Sequence, residues 1–140
     1  MHSVILRYKL LYKRWLPIIP VVLAWRGVSL RSEAYLDSGA FYSIFKMGVA
    51  AELGLDLYRS KERMFVVADG SFIPAKVVKL PIEICGRRRI AEVAFSDRLN
   101  IGFNLLDRKD IFEGFDEVIF RESRREIELR WVDKVAAKRQ

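Results

Sequence analysis

Threonine is absent from this chain of 140 residues, histidine and cysteine occur once each, glutamine stands only at 140 and asparagine only at 100 and 104. Each shortage removes some chemistry. The one cysteine, Cys85, cannot close an internal disulfide; on an apolar strand it reads as a small buried hydrophobe, and a reducing cytoplasm is the setting it suits. The one histidine, His2, lies near a terminus without Cys, Asp or Glu at ligand spacing, so no metal site is expected and Ser43 has no base to make it a nucleophile. Long apolar runs are missing as well. The stretch from Trp15 to Trp25 carries Pro17 and Pro20 and falls short of the ~20 apolar residues that a membrane helix needs. Without a small-residue cleavage pattern after it, a soluble protein with an intact N-terminus is expected.

What is abundant is charge on an apolar frame. Hydrophobic residues make up 51% of the chain and charged residues 31%, enough for one domain with a real core. Lys, Arg and Glu in plenty, with few amides, suit life at high temperature. The net charge is +7, concentrated in residues 7 to 31, in Arg87-Arg88-Arg89 and from Arg121 onward. Such an excess attracts nucleic acid or anionic lipid. Here the charges alternate with apolar residues along strands, as solvated faces do, and no RNA-binding aromatic signature accompanies them, which argues against nucleic acid.

The period of the apolar residues is mostly two. Leu6, Tyr8 and Leu10 alternate with Arg7 and Lys9 in an N-terminal arm, residues 1–17, that could pair with another chain. Ile18 to Trp25 and Val28 to Leu36 read as a hairpin about Arg26-Gly27. Ile44, Met47, Val49, Ala50 and Leu53 fit a short helix capped by Gly54. Met64 to Ala68 and Ser71 to Ala75 read as a hairpin about Asp69-Gly70, with Pro74 marking an edge, and Val77 to Cys85 with Arg89 to Phe95 as a second about Gly86-Arg87. A short amphipathic helix is expected from Asn104 to Glu113, stopped by Gly114. That helix would carry Asp107, Asp110, Glu113 and Asp116 mostly on its exposed face, as solvated ion-pair partners rather than metal ligands. Glu117 to Phe120 and Glu126 to Trp131 form a last strand pair, and 132–140 is a basic tail. The class is mainly β, in a single domain.

At the end of the first hairpin stands Asp37-Ser38-Gly39-Ala40, a carboxylate on a tight turn after a strand. An Asp side chain accepts hydrogen bonds from amides two residues on, so the triplet by itself is an ordinary turn. Its context is less ordinary. The order of a strand-delivered Asp37-Ser38-Gly39-Ala40, a hairpin at Asp69-Gly70, then Asn100-Ile101-Gly102-Phe103-Asn104-Leu105-Leu106 resembles the retropepsins, the retroviral-type aspartic proteases and their cellular and archaeal relatives, over residues 18–131. Residues 43 to 55 resemble the segment after the turn in cellular members.

The resemblance implies a retropepsin-like acid-protease fold and a homodimeric aspartic endopeptidase, with Asp37 of each subunit in the catalytic dyad and a peptide or protein as substrate. It implies no metal and no organic cofactor. Ser38 hydroxyls would bond across the dimer, Gly39 would let the substrate backbone approach, Asp69 and Gly70 would mark the flap, and Ile101 with Gly102 would support the active-site loop. The dimer would form through antiparallel strands from the chain ends. Ala40 has no hydroxyl to stabilise an ionised dyad, so the pair is expected to work nearer neutral pH than stomach-type enzymes. Viral members carry acidic residues where Phe41-Tyr42 stand and an Arg at the place of Phe103. With both charges missing together, an apolar contact is expected in place of the ion pair. A catalytically inactive peptide-binding module of the same fold, or a basic nucleic-acid-binding β domain, are the alternatives that fold alone leaves open.

Overall fold

Three tight turns set three of the hairpins of this chain. Tyr12-Lys13, Arg26-Gly27 and Cys85-Gly86 each have positive φ at both central residues, the backbone twist that matches two antiparallel strands joined by two residues. The computed structural model describes residues 1–66, 70–99 and 101–133. Its strands are β1 (His2–Arg7), β2 (Lys9–Leu11), β3 (Arg14–Leu16), β4 (Ile18–Trp25), β5 (Val28–Leu36), β6 (Ser43–Lys46), β7 (Lys61–Val66), β8 (Phe72–Ile84), β9 (Arg87–Ser96), β10 (Asn104–Leu106), β11 (Glu117–Arg121) and β12 (Glu126–Trp131), with a helix α1 (Met47–Leu53). The protein is mainly β and a single domain, as the alternation predicts.

The large sheet runs β4-β5-β10-β6-β9-β8-β7, and β4 also pairs with β8 through Val22 with Glu83 and Leu23 with Ile82. Six strands thus close on themselves and β7 stands outside them. Inside lie Leu23, Phe45, Leu80, Phe95 and Leu106, all essentially sealed from solvent. Each such side chain contributes roughly 1.5–3 kcal/mol relative to exposure, which offsets the entropy of ordering its strand.

Pro74 lies on the part of β8 that pairs with β7 alone, because β9 joins β8 only from Lys76 onward. The missing N–H of proline costs no ladder bond there. β8 itself is one strand where the alternation suggests two, since the return arm of the β7 hairpin continues without a break through Lys76. The turn after it falls at Cys85-Gly86, so β9 starts at Arg87. Gly54 ends α1 in the left-handed conformation, φ 73, as expected, but Ser43 to Lys46 is strand and the helix begins only at Met47. Ser43, Ile44 and Phe45 are buried between β9 and β10, a position that rewards extended backbone over local helical period.

The helix expected over 104–113 does not form. Asn104 to Leu106 is strand, parallel to β5, and the chain then turns and makes one 3₁₀ turn at Phe112–Gly114. The apolar pairs Leu105-Leu106 and Ile111-Phe112 fit a helix locally, but a three-residue strand fills the gap between β5 and β6.

A second sheet, β1-β12-β11, unites the chain ends. The N-terminal arm therefore pairs within its own chain, His2 opposite Trp131 through Arg7 opposite Glu126. The outer edges of β1 and β11 carry no strand among the described residues. Between β1 and β4 the arm also folds into the β2-β3 hairpin. Among the described residues no helix is long and apolar enough to cross a membrane.

Candidate active site

The turn Asp37–Ala40 owes its place to the order of strands beneath it. The chain leaves β5 at Leu36 and must reach β6 at Ser43, and β10 lies between those two strands. The turn therefore bridges the end of β10, where peptide groups have run out of ladder partners. Leu106 C=O accepts from Asp37 N–H at 3.1 Å, and Arg108 N–H donates to Ala40 C=O at 3.1 Å. Inside the turn, Ala40 N–H donates to Asp37 C=O at 3.1 Å. Gly39 N–H donates to Asp37 Oδ1 at 2.9 Å, which orients the carboxylate. Asp37 is half-buried, while Ser38 and Gly39 are exposed. The arrangement presents an anchored carboxylate at the surface, able to accept a proton or a hydrogen bond but single within one chain.

The flanks carry aromatic rings. Tyr35, two residues before Asp37, stacks on Phe103 with ring centroids 5.0 Å apart. Burial, then the negative charge of Asp37, hold the Tyr35 hydroxyl above its usual pKa. Tyr42 meets Phe65 of β7 edge-on at 4.9 Å, and Arg63 and Lys109 lie against its ring. The apolar contact expected between Phe41-Tyr42 and Phe103 in place of the ion pair is not among the ring contacts of the described residues: Phe103 packs against Tyr35, and Tyr42 against Phe65. Phe41 is exposed.

The other predicted residues fall as follows. Gly70 sits in the connection between β7 and β8 with φ 86, while Asp69 lies outside the described residues. Ile101 and Gly102 are exposed, and Gly102 lies against the Tyr12 ring: an added Cβ would sit 2.3 Å from Tyr12 Cε2. The backbone that grips the turn belongs to Leu106 and Arg108, four to six residues later. Gly102→Ala is predicted to push the Tyr12 ring outward at a cost of about 1 kcal/mol, because Tyr12 is exposed and can yield. The cost should vanish in a Tyr12→Ala background, and a thermal-unfolding double-mutant cycle measures this coupling.

Two functional side chains escaped the sequence reading. Asn104 is buried and ties three segments: its Oδ1 accepts from Lys46 N–H at 2.9 Å, and its Nδ2 donates to Glu33 C=O at 2.9 Å and Ser32 Oγ at 3.3 Å. Asp107 is fully buried, not on an exposed helix face. Its Oδ1 accepts from the Ser43 hydroxyl at 3.0 Å, and its own N–H donates to Ser43 Oγ at 3.1 Å. Burial first, and the charge of Asp110 further, push its pKa up to about 6 against the pull of the Ser43 hydroxyl and of the Asp110 and Asp107 N–H groups. Of the acidic residues near it, Asp110 accepts Glu92 N–H and Asp116 accepts Val132 N–H, so both serve as backbone anchors. The signal for Asp107 was its place directly after the apolar pair Leu105-Leu106, which continues a strand inward.

The course of this backbone is shared with a solved structure. The crystal structure of a retropepsin-like aspartic protease from Rickettsia conorii superposes with a TM-score of 0.70, covering 92% of this chain and 99% of that one at 17% sequence identity. The fold is retropepsin-like. At that identity the likeness lies in the course of the backbone, and the side chains of the retropepsin-like frame must be argued from their own geometry. No family model and no curated protein matches the sequence.

Proposed function

We propose that the chain is a homodimeric aspartic endopeptidase in which Asp37 of each of two copies completes one catalytic dyad. The observation that carries this reading is the anchored carboxylate itself: Asp37 projects from a turn held at one end by Leu106 of β10 and at the other by Arg108 just after it, in a retropepsin-like fold, and the sequence supplies that turn once. Two carboxyl groups about 3 Å apart do not both ionise and share one proton. The ionised member takes a proton from water as its oxygen attacks the peptide carbonyl, and the protonated member donates to the carbonyl oxygen. Collapse of the tetrahedral species breaks the C–N bond as the leaving amine takes up a proton.

In this reading Gly39 leaves room for substrate backbone, the exposed Ser38 hydroxyl bonds to the partner's turn, and the hairpin of β7 and β8 around Gly70 covers an extended peptide. The chain ends already pair with each other, so the two copies join by adding strands across the open edges of the β1-β12-β11 sheet. A cytoplasmic setting is kept as part of the proposal.

The purified chain is expected to cleave an unfolded protein, to sediment as a dimer at the concentrations where it cleaves, and to be blocked by a statine-type transition-state mimic whose hydroxyl replaces the attacking water. Full cleavage by a strictly monomeric protein would overturn the shared dyad. Inhibitor binding without any cleavage would identify a peptide-binding module instead.

A further inference from the structure

The acid beneath the turn has no established part in the reaction proposed above, yet it sits at the mechanical centre of the site. Asp107 lies between the two residues whose backbone holds the catalytic turn, Leu106 gripping Asp37 and Arg108 gripping Ala40. Its carboxyl and its N–H both close on Ser43, the first residue of β6 and the point where the turn re-enters the sheet. One buried side chain therefore ties the floor of the turn to its exit.

We propose that Asp107 is a positioning residue for Asp37: as a neutral acid it locks Ser43 to the end of β10 and keeps the turn in place, and its ionisation loosens that grip. This rests on the peptidase reading for its catalytic meaning, but the lock is a property of the fold.

Geometry carries the argument. Asp107 Oδ2 is buried and has no hydrogen-bond partner among the described residues. A negative charge there is helped by the Ser43 hydroxyl and by the backbone N–H groups of Asp110 and Asp107, and burial outweighs that help. The charged groups around it add little. From β6 it meets Ser43, which is uncharged. On its own turn Asp110 adds a second negative charge while its N–H favours the ionised form, and Arg108 and Lys109 are exposed. From β9, Glu92 is bonded to Lys109 at 2.9 Å. The folded carboxyl accordingly holds its proton to about pH 6, against an ordinary value of 3.8. The sign follows: the folded state binds the proton more tightly than the unfolded chain, so the contribution is complete below about pH 4 and is lost as pH rises through about 6.

The test is native-state hydrogen exchange at the Asp37 and Arg108 amides, corrected for intrinsic rates, between pH 4.5 and 7.5, in the full chain and in Asp107→Asn. Asparagine keeps an oxygen for the Ser43 hydroxyl and cannot ionise. Protection in the natural protein is expected to fall about tenfold between pH 5 and 7 and to stay level in Asp107→Asn, with the alkaline limb of cleavage moving to higher pH in the variant. Coincident protection profiles, with cleavage intact, would overturn the lock and leave the peptidase reading standing. Diverging profiles in proteins that cleave nothing would sustain the lock and sink the peptidase reading. Should Asp107→Asn fail to fold, the carboxyl carbon of Asp107 in the natural protein is titrated by NMR: a midpoint near 6 supports the lock, and one below 4.5 overturns it.

Discussion

Asp37→Asn abolishes cleavage of an unfolded protein, by at least about 10³-fold, while leaving the fold and the dimer intact. The size of the loss follows from symmetry. Both members of the dyad come from position 37, so one substitution removes the group that takes a proton from water and the group that donates to the carbonyl oxygen, each worth about 10²-fold or more. The survival of the fold follows from the turn. Its grip is made by backbone groups of Asp37, Ala40, Leu106 and Arg108, none of which the substitution touches. The bond from Gly39 N–H at 2.9 Å needs only an oxygen, which asparagine keeps. Activity against a labelled unfolded protein, with sedimentation and thermal unfolding of the same sample, checks all parts at once. Undiminished cleavage would take Asp37 out of the mechanism.

Asn104→Ala destabilises the protein by about 3 kcal/mol, a fall in Tm of about 10 °C. Asn104 bonds Lys46 N–H, Glu33 C=O and Ser32 Oγ, and so joins β10 to β5 and to the start of α1. Lys46 directly precedes the helix, and its N–H donates to the Asn104 oxygen at 2.9 Å. Truncation removes the partner of a donor and of an acceptor at a part-buried position, and leaving such groups unpaired costs more than the bonds themselves return when made. Because β10 also carries the peptide groups that hold Asp37, cleavage should fall along with stability. Denaturant unfolding measures the first and residual activity at low temperature the second. A loss below about 1 kcal/mol would mean that water substitutes for the amide.

In the proposed dimer Asp107 would give the site a dependence on pH that the dyad alone would not have. The proposed dyad would lose activity when its shared proton leaves, and the proposed lock its hold when Asp107 ionises, so both would act on the alkaline side. Asp107→Asn separates the two, because it leaves Asp37 and Ala40 as they are.

How much of this was legible beforehand differs from element to element. Ile18–Trp25 and Val28–Leu36 have in the structure the bounds that their alternation gives, since a two-residue turn at Arg26-Gly27 fixes the register and needs no distant partner. Gly54 as the end of the helix is equally local. The position of Asp37 at the close of a strand belongs to the same class, and so does the resemblance that made it worth following.

The residues that hold Asp37 in place belong to the other class. Asn104 to Leu106 look helical in their own neighbourhood and become strand because a gap between β5 and β6, formed by residues some sixty to seventy positions earlier, rewards an extended segment. Asp107 reads as a solvated acid and is sealed, because only the folded chain brings Ser43 to it. Tyr12 against Gly102 is invisible for the same reason. Composition, period and turn chemistry act over a few residues and determined the strands, the class and the acidic turn. Burial and hydrogen bonding between distant segments set the protonation of Asp107 and the clamp on Asp37, and those exist only once the sheet has closed.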